Sequence, residues 1–597
     1  MTSGQPQRGY SGRRVVLLLR KLLIGVVLAA IGVSVVASAA TGRGKQASVS
    51  SSVLLPGVIY TREVDFTSRG PIVLDVVTAP KPDGQLYSLA PVLSNDQLRG
   101  TESLTRLESR VAARATTVAI DGDYFDPATG APNGMLQQDG VLESPPGIGR
   151  SSLGIAADGT LTAGRVSFAG IWQGNGQRRP LLLNTPAKSG KFSLYTPVYG
   201  GTTPRESGVV EAVIGTFPAA RLDAPLDGTV TQVTTAGSTR IPPGGAVLVA
   251  RGPQSTAQLK AEAPVGQKVE ALLSLSPDWS GLASAIGGGP LLVKNGKPIF
   301  HAGEPFPSRQ LNGRQARGAI GQLADGSVVL VGVEGTKASY SIGMSNYELA
   351  VELSRLGATT AYGLGAGSAA GLAFDGKLLT RPSRGITPKV STALVLSYSG
   401  VYATPPSTDV LSPNGDRVGD TETLSYRVAR PSHVVASLAG PAGAGLTLAD
   451  AAQSPGPHTL EWNGTVGGSP APEGKWTFSV TGTDDRSVTT SAQRAFSLDD
   501  TLSSLVVTRG GDGLLTATFV LTRAATVVVQ IQRPNGVAVA TLRSAPQAAG
   551  AEHVTWRGRI GRHSAPGGRY QVAVQATSSV GTSSLTAGFS LPAHKRH

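Results

Sequence analysis

The chain has 597 residues, 53 Lys and Arg against 39 Asp and Glu for a net charge of +14, and no cysteine. That length corresponds to roughly three or four domains at about 100–200 residues each. The lack of cysteine excludes disulfides, thiolate zinc sites, iron–sulfur clusters and a thiol nucleophile, and a composition 40% apolar and only 15% charged argues against a disordered chain.

Arg8, Arg13, Arg14, Arg20 and Lys21 come first, with no acid among residues 1–21. An uncharged run of 19 residues follows, 22–40 (LLIGVVLAAIGVSVVASAA). At about 1.5 Å per residue it is long enough to cross a hydrocarbon core. The basic flank predicts a cytoplasmic tail over 1–21, a membrane anchor over 22–40 and export of everything beyond. Ala37-Ser38-Ala39 also has the small-x-small pattern of a signal-peptidase site. The leader is therefore an anchor, which the length of the run favours, or a cleaved signal. Residues 41–52 are small and polar and read as a linker.

Residues 53–401 mix strands with a few helices, an α+β pattern. Leu104, Leu107 and Val111 share one face of a helix expected over 101–117. The β-branched stretch 117–120 then reads as a buried strand. Asp325-Gly326 is a hairpin turn. A second helix is expected over 345–356, stopped by Gly357.

Thr404-Pro405-Pro406-Ser407 marks a boundary, after which an internal repeat appears. Residues 458–464 match 553–558, and 471–480 match 565–574, with Trp462 and Trp556 94 residues apart. Two matched blocks at one offset predict tandem β-sandwiches, at 409–498 and 499–592. They resemble FlgD-type immunoglobulin-like modules. The first opens with Asn414, Asp416 and Asp420, whose oxygens suit a calcium ion or, equally, an Asx-turn.

Standard catalytic constellations are absent from the sequence. His301 is the one histidine between residues 53 and 400, and there is no G-x-S-x-G. No P-loop and no histidine pair with metal spacing occurs. The basic residues do not cluster with aromatics, so nucleic acid is not an expected partner. What remains is acids, an arginine and glycine loops. Asp121 and Asp123 follow a buried strand at i,i+2 and would face one way on an extended chain. Paired carboxylates suit glycosidic acid–base chemistry or a hard metal ion. Gly287, Gly288 and Gly289 permit close approach of a ligand or of backbone. Arg317 heads a strand, where its planar fork suits a phosphate or carboxylate. Glu348 lies on the second helix.

These motifs occur in an order that is itself informative. Asp121-Gly-Asp-Tyr-Phe125 is followed by Leu183-Asn184-Thr-Pro186, Gly287-Gly-Gly-Pro290, Arg317-Gly-Ala-Ile-Gly321, Glu334-Gly335, Glu348-Leu349-Ala350 and Gly365 to Ser368. In this order the chain from about 53 to 401 resembles the phosphodiester glycosidase family. The resemblance implies an α+β domain that hydrolyses a sugar-1-phosphodiester, releasing the sugar and leaving a phosphomonoester. It implies acids and bases among Asp121, Asp123, Glu334 and Glu348, with Arg317, Asn184, the 287–289 glycines and Ser368 on the substrate. A carbohydrate phosphodiester or an anionic cell-wall glycan is the implied partner. No cofactor is required beyond the divalent cation considered above.

This chain departs from the family in three places, one of them Glu334-Gly335 where the family has an Asp-Gly pair. Asp121-Gly122-Asp123 stands where the family has Asn-Gly-Gly. Its Leu-Asp-Gly-Gly-Gly-Ser loop is here Gly363-Leu364-Gly365-Ala366-Gly367-Ser368, with the aspartate absent and one residue deleted. A second reading follows from that loss: an inactive glycan-binding envelope protein of the same fold.

Overall fold

The computed structural model describes residues 46–592, apart from 301–302, 336–338, 414–418 and 511–512. The basic tail and the 22–40 run lie outside the described residues, as do Asn414 and Asp416 of the expected calcium loop. Among the described residues no helix is long and apolar enough to cross a membrane, and no group of three side chains suited to a metal ion occurs.

The architecture is mostly β. The α+β expectation overstated the helices, of which the described residues contain four: Leu104–Ala112, Pro253–Glu262, Ser308–Asn312 and Asn346–Arg355. The first was expected to run to 117. It ends at Ala112 because Thr116–Asp121 is taken into a sheet, each of its six residues buried. The second matches closely, since Ser345 and Glu348 form a reciprocal capping box at its start.

An eight-stranded antiparallel sheet forms the centre. Its order is Gln46–Leu55, Val58–Thr67, Gly70–Ala79, Val328–Val333, Arg317–Leu323, Ala358–Ala366, Leu291–Lys294 and Lys297–Pro298. The linker expected through residue 52 is thus partly strand. Ser48 to Ser52 pair with Tyr60 to Val64, because an adjacent strand edge satisfies their backbone groups. One face of the sheet packs on the helix Asn346–Arg355 through Leu349, Ala350 and Leu353. The other face packs on a five-stranded sheet ordered Lys377–Leu378, Leu372–Phe374, Thr116–Asp121, Thr392–Tyr398 and Tyr87–Leu93. Val118, Ile120, Ile320, Leu330, Tyr362 and Leu394 fill the layer between them.

Strands from Ser167–Gln173 to Lys268–Ser276 close into a seven-stranded barrel filled by Trp172, Phe192 and aliphatic side chains. The sequence shows this region only as alternating strands, because closure depends on which edges meet.

The repeat is physically real. Trp462 Nε1 donates to Thr465 O at 2.8 Å and Trp556 Nε1 to Arg559 O at 2.9 Å. Trp476 Nε1 donates to Pro472 O, and Tyr570 at the equivalent position donates its hydroxyl to Pro566 O. The first sandwich begins earlier than expected, since Tyr402–Ala403 already pairs with Glu422–Val428. Tyr402 packs in the core between the two central sheets, whereas Val401 and Ala403 pack in the sandwich core. With the Arg427–Asp375 ion pair at 3.0 Å, this fastens the sandwich to the central sheets.

Candidate active site

The strand Thr116–Asp121 carries the first acid into the protein. Its β-branched residues favour extension and its burial on both faces holds it in place. At Gly122 the chain presses on a neighbouring strand: Gly122 N donates to Thr392 O at 2.9 Å, and a Cβ at 122 would come within 2.6 Å of that oxygen. Asp121 Oδ1 accepts from Gly371 N at 2.8 Å. The large sheet approaches the same carboxyl where side chains are missing. A Cβ at Gly318 would fall 2.4 Å from Oδ1, and one at Gly365 would fall 2.5 Å from Oδ2. Oδ2 is buried without a hydrogen-bond partner. Burial pushes the Asp121 carboxyl well above the usual carboxylate range, against the backbone N–H groups that favour its anion.

Asp123 does not share its wall. The turn at Gly122 breaks the extended geometry, and Asp123 instead faces Gly134 and Gly287, where added Cβ atoms would lie 2.9 and 2.5 Å from its Oδ2. Its amide donates to Thr392 Oγ1 at 2.9 Å, and its Oδ1 accepts from Arg150 Nη2 at 3.0 Å. Burial raises its pKa and the Arg150 guanidinium opposes that rise. Arg150 also donates to Gly288 O and lies 4.8 Å from the Phe306 ring centre and 5.3 Å from that of Tyr124. Burial raises the Tyr124 pKa, and the Arg317 and Arg150 guanidiniums oppose that rise.

Arg317 is buried at the head of its strand. Nε donates to Met344 O at 2.7 Å, and Nη2 donates to Gln310 O at 2.7 Å and Gly313 O at 2.8 Å. None of these bonds uses Nη1, and every partner is a neutral carbonyl. Burial lowers its pKa to about 10. Its hydrogen bonds go only to carbonyls and the Glu348 carboxylate acts on it without an ion pair, which leaves it suited to an incoming anion.

The other expected site residues have different surroundings. Glu348 is occupied by the capping box and by Arg314, with Arg69 at 3.7 Å. It orients the helix whose preceding residue, Met344, holds Arg317. Asn184 adopts φ 46° and ties the barrel to strand Val141–Ser144, donating to Glu143 O at 2.8 Å and accepting from Thr196 N at 2.9 Å. The 287–289 glycines do allow close approach, but of the protein itself: Gly287 to Asp123, Gly288 to Gly363 O, and Gly289 to Glu304 and Phe306. Ser368 is exposed on the turn after Ala358–Ala366.

Glu334 belongs to a separate buried cluster. It pairs with Arg62 at 3.0 Å and accepts from Arg381 N at 2.8 Å. Arg62 also reaches Asp75 at 2.8 Å, and Tyr60 donates to that carboxyl at 2.6 Å. Asp75, Gly332 and Gly318 lie in one row across the large sheet, so Asp75 stands two strands, about 10 Å, from the Gly318 contact with Asp121. Burial and then Glu334 push the Asp75 pKa up to about 8. A carboxyl raised on folding stabilises fully below its unfolded value, and that contribution is lost as pH rises through its folded value. The urea midpoint is therefore expected to fall between pH 5 and 9, less steeply in Asp75→Asn. Parallel profiles for the two proteins would refute the assignment.

Sequence reasoning missed Arg150 and Glu304. Arg150 ends the Pro- and Gly-rich loop 144–150, where a lone arginine before a strand was the available signal. Glu304 accepts from Ser151 N at 3.0 Å, Ser151 Oγ at 2.8 Å and Leu291 N at 2.9 Å, clamping the chain after Gly289. It carries no local motif.

Two buried carboxyls, one of them paired with a guanidinium, thus lie between two antiparallel sheets. Residues 221–397 match the phosphodiester glycosidase family, and residues 504–579 match the FlgD Ig-like domain. The similarity to the phosphodiester glycosidase family thus covers about a third of the chain and precedes the FlgD-type stretch. No curated protein matches the chain. Among solved structures it is similar to a hypothetical protein from Synechocystis, at 26% identity and TM-score 0.50, covering 59% of this chain and 64% of that one. A putative exported protein from Burkholderia pseudomallei is 22% identical, TM-score 0.44, over 55% of this chain and 74% of that one. The catalytic domain of zebrafish N-acetylglucosamine-1-phosphodiester alpha-N-acetylglucosaminidase, auto-inhibited by its pro-peptide, is 14% identical, TM-score 0.31, over 60% of this chain and 86% of that one.

Proposed function

We propose that this protein is an exported hydrolase of sugar-1-phosphodiesters in envelope glycans, anchored through residues 22–40 or released if that run is cleaved. The observation that carries this reading is the pair of buried carboxyls with unequal surroundings: Asp121 without a cation against it, Asp123 paired with Arg150. Environments that push two acids apart in this way separate a proton donor from a charged partner. Asp121 in its neutral form donates to the departing phosphate oxygen as the C1–O bond breaks. Asp123 as carboxylate activates the attacking water or stabilises the positive charge at C1. Arg317 holds the phosphate.

The aspartate of the family's loop is not simply lost on this reading. Gly365 of that loop faces Asp121, so a carboxyl still stands against it, carried by the facing sheet. The test incubates the purified full chain with methyl diesters of a panel of hexose-1-phosphates, with and without divalent cations. Release of free sugar is expected; release no faster than in buffer across the panel refutes hydrolysis.

One observation favours a second reading, glycan binding without turnover. Asp121 and Asp123 are only 1% and 3% exposed, which suits structure as well as chemistry. Glycan affinity that is unchanged by Asp123→Asn, with no sugar release, is its signature.

A further inference from the structure

We propose that the mouth of this site receives phosphodiesters whose second arm is a long alkyl or prenyl chain, which lies along an apolar rim. The inference rests on the hydrolase reading and narrows its substrate to lipid-linked sugar phosphates. The rim consists of Ile148, 97% exposed, Phe300, 68%, Tyr347, 44%, and Ile386, 68%. Single exposed apolar side chains are ordinary on protein surfaces. These four are set apart by where their loops are fastened.

Ile148 precedes by two residues the Arg150 that holds Asp123. Its loop is backed by Pro305, which a Cβ at Gly149 would meet at 3.5 Å. The Phe300 ring stands edge-on to Tyr347 at 5.0 Å. Tyr347 lies on the first turn of the helix that follows Met344, the carbonyl partner of Arg317. The loop bearing Ile386 is tied to the site by Ser383 Oγ, which donates to Gly367 O at 3.0 Å, while Gly367 N donates to Ala316 O at 2.9 Å beside Arg317. Two loops and the first turn of a helix therefore each anchor on or beside a residue of the site and each carry an exposed apolar side chain.

The chemistry of the substrate says what covers that rim. In a glycosyl phosphodiester the sugar and the phosphate engage carboxyls and guanidiniums. The alcohol arm has to leave outward, past the loops. A sugar or polyol arm would gain from hydroxyl and amide partners, whereas aliphatic and aromatic side chains favour a hydrocarbon. Arg384 is exposed on the loop of Ile386, and its charge complements a lipid-linked phosphate as it approaches.

The experiment compares methyl and dodecyl diesters of the same hexose-1-phosphates on the full chain, kept below micelle formation. Binding of methyl and dodecyl phosphate is measured alongside by calorimetry. The dodecyl diester is expected to show a KM at least about tenfold lower, the gain from removing a few methylenes from water. The double variant Ile148→Ser/Ile386→Ser should abolish that advantage without changing kcat on the methyl diester. Val506→Ser, at a position 56% exposed on the second sandwich, should leave the advantage intact. Equal KM for the two esters, or an advantage that survives the rim variant, overturns the inference. If no ester is hydrolysed, the hydrolase reading falls. In that case, tighter binding of dodecyl than methyl phosphate, lost in the rim variant, still supports the rim, and equal affinities overturn it.

Discussion

On the proposed hydrolase reading, Asp121→Asn is expected to lower sugar release by a factor of about 10²–10⁴, the usual effect of removing a catalytic acid, and to leave the protein more stable at pH 7. Both effects follow from one environment. The carboxyl is buried between Gly318 and Gly365, with Oδ1 on Gly371 N and Oδ2 unpartnered. Burial raises its pKa well above the usual range. A raised carboxyl contributes stability below its unfolded value, about 3.9, and loses it as pH rises toward its folded value. Asparagine has nearly the same shape and keeps an oxygen for Gly371 N, but it has no proton to give and no charge to bury. Activity is read as kcat on the methyl diesters, and stability as the urea midpoint at pH 5 and pH 7. The variant's stability gain should be larger at pH 7. Retention of more than about a tenth of wild-type kcat would show that Asp121 is not the proton donor.

Arg150→Ala is expected to destabilise the protein by roughly 3–5 kcal/mol, the cost of leaving one member of a buried ion pair alone. The Asp123 side chain is 0% exposed and that of Arg150 11%, so water cannot replace the guanidinium. The substitution also removes the cation packed against Tyr124 and Phe306. Adding Asp123→Asn should restore part of the loss, because the orphaned charge is gone. The double-mutant cycle then gives a coupling of order 1–3 kcal/mol. Additive effects in urea unfolding would mean that Arg150 and Asp123 do not form the pair. The same variant is expected to lose most sugar release, since an Asp123 without Arg150 takes up a proton and ceases to act as a carboxylate.

Much of this was legible in the residues themselves. The capping box at Ser345 and Glu348 announced the helix Asn346–Arg355, and Asp325-Gly326 announced the hairpin between Arg317–Leu323 and Val328–Val333. The two tryptophans announced tandem sandwiches because each copy repeats the same indole hydrogen bond. Asp121 and Asp123 were legible as candidates because two acids beside a buried strand are uncommon. Their common direction was not legible, since it depended on what Gly122 would meet.

Local order was therefore determined by the sequence alone: caps, turns, alternation and repeats act over a few residues, and their partners are named within that span. The tertiary structure decided what surrounds each candidate acid. Glu348 became a helix cap and Glu334 a partner of Arg62, while Arg150 joined Asp123 from 27 residues away. Asp121 found its backbone donor 250 residues along the chain, at Gly371. Charge burial is settled by whatever packs against a carboxyl from every side, and here that includes the bare backbone of Gly318 and Gly365 on two strands of another sheet. No pattern within a short window encodes such a meeting, because it exists only once the two sheets close on each other.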